Sequence, residues 1–321
     1  MPGSGVHLLL VAAVHHGNHA SHLSWFQAVV LGALQGVTEL FPISSLGHTV
    51  LFPTLFGWTQ LVKDQSDPES FWLALVVMLH VGSALGLLIY FWRDWIAIIR
   101  AFFVSLWRRR IETPTEKLAW LIVAASIPTG VIGLALEHPL RVLFAKPTAA
   151  AIFLMINGLI LLGAERLRRR VAARPSLPAA RFDAGEAPAA DEAPELGALT
   201  FRNAVGIGFA QSTALIAGIS RDGVCMSAGL LSGLDNETAA RFAFLLATPI
   251  ILAAGVFKLS DLTGPLGNGI RAQAAVACAC AAITAVIAVH YLLRYFQTRT
   301  LVPFGLYCLA FGLAMTIYTT V

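Results

Sequence analysis

The sequence predicts an all-α polytopic membrane protein with inverted-topology repeats and two re-entrant helix pairs meeting near the midplane. Three observations carry that prediction. Hydrophobic residues make up 57% of the 321 and charged residues only 12%, with a mean hydropathy of +0.74, well outside the range of a water-soluble domain. Apolar runs bounded by charge, proline or glycine recur along the whole chain, so one membrane domain is expected. Two of these runs, one in each half, break at the same Ile-Ser step.

In chain order the apolar runs fall at 24–41, 45–57, 72–92, 118–136, 148–164, 201–216, 223–234, 241–258, 271–292 and 301–320. A span of the hydrocarbon core needs about twenty residues. The runs 45–57 and 223–234 are too short and each follows a broken segment, the pattern of half-helices that enter and leave one leaflet. Residues 1–23 read as a tail, because "HLLLVAAV" has neither a preceding basic residue nor a convincing cleavage site. His15, His16, His19 and His22 fit a disordered tail better than a metal site. Cys225, Cys278, Cys280 and Cys308 all lie in apolar runs without a CxxC pair and read as small packing residues.

Charge placement predicts the topology. Arg93, Arg100 and Arg108–Arg110 follow the 72–92 run, Arg166 to Arg181 follow the 148–164 run, and Arg294 and Arg299 precede the last one. By the positive-inside rule these loops are cytoplasmic, which puts the Lys63–Glu69 loop, the Glu137–Lys146 loop and the C-terminus outside. The stretch "RPSLPAARFDAGEAPAADEAPELG", Arg174 to Gly197, is rich in Pro, Ala and acid and lacks periodicity. It reads as part of a cytoplasmic linker over about 166–200, between repeat one at about 24–165 and repeat two at about 201–321.

The repeat is visible in "GALQGVTELFPISSLG", from Gly32, and "GFAQSTALIAGISRDG", from Gly208. At an offset of 176 positions, Gly32/Gly208, Gln35/Gln211, Ile43/Ile219, Ser44/Ser220 and Gly47/Gly223 coincide. Three spans separate the copies, and an odd number of crossings inverts the second. Broken helices of inverted repeats that meet at mid-depth are a recurring way to build a site inside a membrane.

The breaks concentrate polar groups where they are costly. Gln35 and Glu39 are four apart and share a helix face. Pro42 ends that helix, and Ser44 or Ser45 caps the next, leaving amide groups and a positive dipole end that bind anions. His48 follows in the first turn. The second break ends at Arg221, a bidentate phosphate ligand. A serine alone caps its own backbone, and Glu39 and Arg221 alone make an ion pair between repeats. Ionisable groups at membrane depth nevertheless point to function. Together Glu39, Ser44, Ser45, His48 and Arg221 have the parts to bind and hydrolyse a phosphate.

These residues also carry a family resemblance. The first motif resembles (E/Q)GxTExxPxSSxGH of the bacitracin-resistance type of undecaprenyl-diphosphate phosphatases, through Gln35-Gly36, Thr38-Glu39, Pro42, Ser44-Ser45 and Gly47-His48. The second resembles PGxSRSGxT through Gly218, Ser220, Arg221 and Gly223, and "ARFAFLLATP", Ala240 to Pro249, is also similar. The resemblance covers nearly the whole chain. It implies a multi-pass enzyme of the bacterial inner membrane, with its site towards the outer face, that removes the terminal phosphate of a C55 isoprenyl diphosphate. It implies a divalent metal, Mg2+ or Ca2+, and roles for Glu39, Ser45, His48 and Arg221 in catalysis, Ser44, Ser220 and Arg221 in substrate binding, and Glu39 and Gln35 at the metal. The expected partners are the lipid substrate and bilayer lipids, with no nucleic acid and with homodimerisation open.

The second motif departs from the pattern at Ala217 for proline, Asp222 for serine and Cys225 for threonine. Asp222 beside Arg221 either neutralises it or supplies the metal ligand that the uncharged Gln35 offers poorly. Several routes to hydrolysis stay open at this point. Ser45 or His48 attacks phosphorus, or a metal-bound water attacks with Glu39 or His48 as base. His80, in the 72–92 run, is either a partner of the site or a packing residue. A flippase of the polyprenyl phosphate carrier, using the same anion site without hydrolysis, is the alternative function.

Overall fold

The computed structural model describes residues 23–66, 71–144, 146–172, 196, 199–257, 264 and 269–321. The four N-terminal histidines and most of the acidic linker lie outside them. Among the described residues the long elements are all α-helices: α1 (Trp25–Leu40), α2 (Ser45–Leu55), α3 (Thr59–Ser66), α4 (Trp72–Tyr90), α5 (Trp92–Arg108), α6 (Pro114–Phe144), α7 (Pro147–Ala172), α8 (Phe201–Ser212), α9 (Arg221–Leu231), α10 (Asn236–Phe257), α11 (Arg271–Phe296) and α12 (Val302–Thr320). A 3-10 turn, Thr213–Leu215, extends α8. Helices α6, α7, α10, α11 and α12 are each long and apolar enough to cross a membrane, and α4 makes a sixth candidate through its junction with α5.

That junction corrects the expectation of a basic loop after residue 92. Residues Trp92–Arg108 form a helix set at 85° to α4. Arg93 and Arg100 interrupt the hydropathy run, but on a helix they fall beside the apolar residues rather than among them. Trp95, Ile98 and Ser105 are buried, while Ile96, Ile99 and Phe103 form an exposed apolar stripe of the kind that lies along a membrane surface. An Arg241–Asp94 ion pair fastens the corner, with the guanidinium 5.8 Å from the Phe91 ring.

The repeat seen in sequence is a repeat of structure. Helices α2 and α9 start at Ser45 and Arg221, each 11 residues long, about 16 Å and so roughly half the hydrocarbon thickness. Each is closed by a glycine at positive φ, Gly57 at 66° and Gly233 at 98°, as helix C-termini favour. Helices α1 and α8 both start on a hydroxyl cap, Ser24 accepting from Gln27 N and Thr200 from Asn203 N, which satisfies an amide that the first turn leaves free.

Each repeat clasps the other. Helix α1 packs chiefly on α11, α8 on α6, and α7 on α12. The clasp needs glycine at equivalent places: a Cβ on Gly32 would sit 2.3 Å from Ala277 O, and one on Gly208 would sit 2.2 Å from Ala125 O. Lipid tails are as apolar as leucine, so helix association in a membrane depends on this close backbone approach.

Candidate active site

Both breaks are built from residues that deny the helix its next hydrogen bond. Helix α1 ends with Phe41 N donating to Val37 O, and Pro42 brings no N–H with which to continue. Ser44 then takes φ 69°, a left-handed conformation costing a non-glycine residue about 1–3 kcal/mol. Its Oγ offsets that cost by accepting from Gly47 N at 3.2 Å and from Gly218 N, in the other break, at 3.2 Å. Gly218 has φ 103°, and a Cβ there would lie 2.4 Å from Ala150 O, so only glycine fits. Ser220 Oγ caps α9 by accepting from Gly223 N at 3.1 Å.

A buried asparagine on α7 joins the two breaks. Asn157 Nδ2 donates to Pro42 O at 3.0 Å, and its Oδ1 accepts from Ser220 N at 3.0 Å. One side chain thus satisfies a backbone group left over from each broken helix, in a setting without water to do so.

The N-termini of α2 and α9 meet at the Glu39 carboxylate, on the last turn of α1. Ser45 Oγ donates to Glu39 Oε2, and Arg221 pairs with Glu39 Oε1. Gln35 Nε2 donates to Oε2 at 2.9 Å, one helical turn back. His80 Nε2, from α4, lies 3.4 Å from the same Oε2. Glu39 is 5% exposed, so an unpaired carboxylate here would cost several kcal/mol. The cationic Arg221 and the two helix N-termini oppose that cost. Arg221 keeps a buried Nε with no hydrogen-bond partner among the described residues.

His48 is buried but bonds elsewhere. Its Nδ1 lies 2.7 Å from Ser44 O, and a carbonyl only accepts, so Nδ1 carries the proton. The Nε2 lone pair then accepts from Tyr307 OH at 2.8 Å. The ring forms a cluster of three with Tyr307 and Phe311, centroids 5.7 and 5.3 Å from His48 and 5.6 Å from each other, all within 15° of parallel. Among the described residues no bond joins His48 to Ser45 or Glu39, so Glu39 is the base within reach of the serine.

Asp222 is fully buried, and among the described residues neither carboxylate oxygen has a hydrogen-bond partner and no ion pair joins it to the Glu39 group. No three His, Cys, Asp or Glu side chains among the described residues gather to hold a metal by themselves. A cation at Glu39 would therefore draw on amide, imidazole, hydroxyl or phosphate groups as well. Gln211, the repeat partner of Gln35, bonds to Thr129 Oγ1 at 2.8 Å, and Leu215 stands at the position of Glu39. Among the described residues the second repeat has no carboxylate at the place of Glu39.

The family model described as "Bacitracin resistance protein BacA" matches residues 28–314. The chain belongs to the BacA family. It is 52% identical over 305 residues to the undecaprenyl-diphosphatase of Mycolicibacterium paratuberculosis, covering 93% of this chain and 98% of that protein. It is 48% identical over 335 residues to undecaprenyl-diphosphatase 2 of Frankia alni, covering 92% and 98%. With undecaprenyl-diphosphatase 2 of Chromobacterium violaceum, 39% identity extends over 301 residues, 92% of this chain and 99% of the other. The BacA match spans both breaks and every helix bearing a group in the Glu39 cluster.

In this BacA family member the sequence motifs locate Gln35, Glu39, Ser45 and Arg221, which the fold brings together, and His48, which it places one bond away from Ser44. Ser44 and Ser220 cap the breaks. Asn157 and Tyr307 belong to no motif. A lone asparagine within an apolar run is a detectable signal of a satisfied polar contact at depth. Tyr307 gives none, since its role depends on α12 lying beside α2.

Proposed function

We propose that the protein is a membrane phosphatase that converts undecaprenyl diphosphate to undecaprenyl phosphate and inorganic phosphate, recycling the lipid carrier for cell-wall synthesis and conferring bacitracin resistance. The names of its relatives support the substrate. The observation that carries the chemistry is Glu39 held between the Ser45 hydroxyl and Arg221, whose Nε remains free to bind an oxyanion.

Arg221 and the amides at the start of α2 and α9 bind the terminal phosphoryl group. Glu39 takes the Ser45 proton as Oγ attacks phosphorus, and the bridging P–O bond breaks to release the polyprenyl monophosphate. Glu39 returns its proton to the departing oxygen or to solvent. Water then cleaves the serine–phosphate bond, with Glu39 again accepting a proton, to give inorganic phosphate. Glu39 and Gln35 would hold a divalent cation, Mg2+ or Ca2+, which when bound neutralises charge on the diphosphate. Arg221 stabilises the charge on the equatorial oxygens, a contribution that removal of one such donor in other enzymes puts at about 2.7–4 kcal/mol.

The arginine-rich ends of α5 and α7 belong at the cytoplasmic face of the bacterial inner membrane, with the site opening outwards. The apolar tail stays in lipid between helices. One chain supplies every group named, so a homodimer is not needed for the chemistry. The test is phosphate release from a polyprenyl diphosphate by purified protein in detergent, with and without chelator. Tight lipid binding without phosphate release at any metal concentration, together with carrier movement across liposomes, would favour a flippase instead.

A further inference from the structure

The orientation of His80 singles it out. Its Nδ1 lies 2.8 Å from Val76 O, one turn back on α4, and that carbonyl only accepts, so Nδ1 bears hydrogen. In the neutral ring Nε2 then presents its lone pair to Glu39 Oε2, 3.4 Å away. Two acceptor atoms thus lie 3.4 Å apart, the Glu39 oxygen buried and already accepting from Ser45 Oγ and Gln35 Nε2, the imidazole half-buried. Some positive species belongs between them, a proton or a metal ion. Metal-binding histidines commonly have this arrangement, one ring N–H fixed on a carbonyl and the other nitrogen aimed at the cation.

Gln35 adds an oxygen. Its Nε2 faces Glu39 and its Oε1 lies 3.4 Å from Thr49 Oγ1, whose hydroxyl hydrogen is already directed to Ser45 O at 2.9 Å. Turning the amide over presents Oε1 towards the Glu39–His80 gap and gives Thr49 Oγ1 a donor in Nε2. Without a cation the unturned orientation is favoured, because the turned one would set Oε1 against Glu39 Oε2, two acceptors where a donor now spans 2.9 Å; with a cation between them the turned amide supplies a third ligand. Two ligands side by side on an octahedral cation at about 2.1 Å each are about 3 Å apart, close to the Glu39–His80 separation. Glu39 Oε1 stays with Arg221, so the carboxylate bridges guanidinium and cation through separate oxygens.

We propose that His80 Nε2, Glu39 Oε2 and Gln35 Oε1 form a mixed nitrogen–oxygen site for a divalent cation, and that the imidazole makes this protein select Mn2+ over Mg2+ and Ca2+. An all-oxygen site suits Ca2+ and Mg2+, whereas an imidazole ligand shifts preference towards transition metals. The proposal deepens the phosphatase reading and depends on it only for the phosphate oxygens that complete the shell.

The test uses full-length protein in detergent micelles, titrated with Mn2+ and followed by electron paramagnetic resonance. Pulsed measurements on the bound ion should show coupling to one 14N nucleus, lost in His80→Ala and retained in His48→Ala. Removing a ligand should weaken Mn2+ binding at least as much as removing a ligand's supporting partner does, about tenfold or more, and the Mn2+ preference over Mg2+ should fall with it. His80→Gln, which restores an oxygen ligand of similar reach, should recover Mg2+ binding without the 14N signal. Mn2+ bound in a Glu39-dependent manner without 14N coupling would overturn the proposal and leave the phosphatase reading intact. Metal-independent phosphate release with no Mn2+ bound would also overturn it. A protein with the 14N signal but no phosphate release would sustain the metal site while defeating the phosphatase.

Discussion

Ser45 and Arg221 occupy the same position of the two repeats, the first residue of α2 and of α9, and both bond to the Glu39 carboxylate. The backbone is repeated while the chemistry is divided. One copy contributes a hydroxyl at a helix N-terminus, the other a guanidinium at the equivalent terminus. The carboxylate that joins them has Leu215 as its counterpart, so among the described residues the repeat does not produce a second centre of this kind.

Glu39→Gln is therefore expected to affect folding and activity by different amounts. It leaves Arg221 buried without its anion, and breaking one side of a buried pair costs about 3–5 kcal/mol. In the proposed mechanism it also removes the base for Ser45, worth about 100- to 10,000-fold. Glu39→Gln combined with Arg221→Met should regain much of the lost thermal stability but none of the phosphate release. Recovery of activity in the double variant would remove both residues from the chemistry.

Arg221→Lys should keep the charge balance with Glu39, so the melting temperature stays near that of the wild type. A lysine ammonium cannot hold Glu39 and also present the in-plane donor that Nε offers. Turnover should fall by about 100- to 1,000-fold, the loss expected for an oxyanion donor. Undiminished turnover would mean that the free Nε takes no part in binding the diphosphate.

Much of this site is legible in the sequence because its residues are local. Glu39, Ser45 and His48 lie within one motif, and the repeat offset by itself pairs Ser45 with Arg221. The rest depends on which helices become neighbours. Asn157, Tyr307 and His80 come from α7, α12 and α4, and sequence spacing does not encode their approach to the breaks. Helix α5 is hidden for another reason. Arg93 and Arg100 depress the hydropathy of a linear window, yet on a helix they leave the apolar stripe continuous. Helix α9 likewise starts two residues before the apolar run at 223–234. Arg221 and Asp222 lie outside that run by hydropathy, although an acidic residue suits a helix's first turn.

Asn157→Ala should show how far the breaks depend on one side chain. Pro42 O and Ser220 N would both lose their partner, at about 1–3 kcal/mol for each buried group left unsatisfied. Differential scanning calorimetry in detergent should show a clear fall in melting temperature, with phosphate release reduced through misplacement of Ser45 and Arg221. Asn157→Asp, which retains the acceptor for Ser220 N but loses the donor for Pro42 O, should fall between wild type and alanine. Equal stability of all three proteins would argue against the bridging role.

Leu55 and Leu231 end the equivalent half-helices and are 41% and 56% exposed. In a background without the native cysteines, Leu55→Cys and Leu231→Cys should react with a membrane-impermeant maleimide from opposite sides of the membrane. The α4, α6 and α7 spans reverse the chain between them. Labelling of both from the same side would be incompatible with inverted repeats.

Tyr307→Phe separates the contribution of the hydroxyl from that of the ring. The phenol donates one hydrogen bond to His48 Nε2, and such a bond is worth about 0.5–1.5 kcal/mol net, which limits the loss to roughly tenfold. Stacking on Phe311 and the Ser44 carbonyl still hold the imidazole in place, so its orientation should survive. His48→Ala instead removes the group itself and, if the imidazole exchanges protons with the bound diphosphate, should cost about 100-fold or more. Phosphate-release kinetics on the two variants decide between supporting and reacting roles for the histidine. A loss in Tyr307→Phe as large as that in His48→Ala would show that the hydroxyl, rather than the imidazole behind it, meets the substrate.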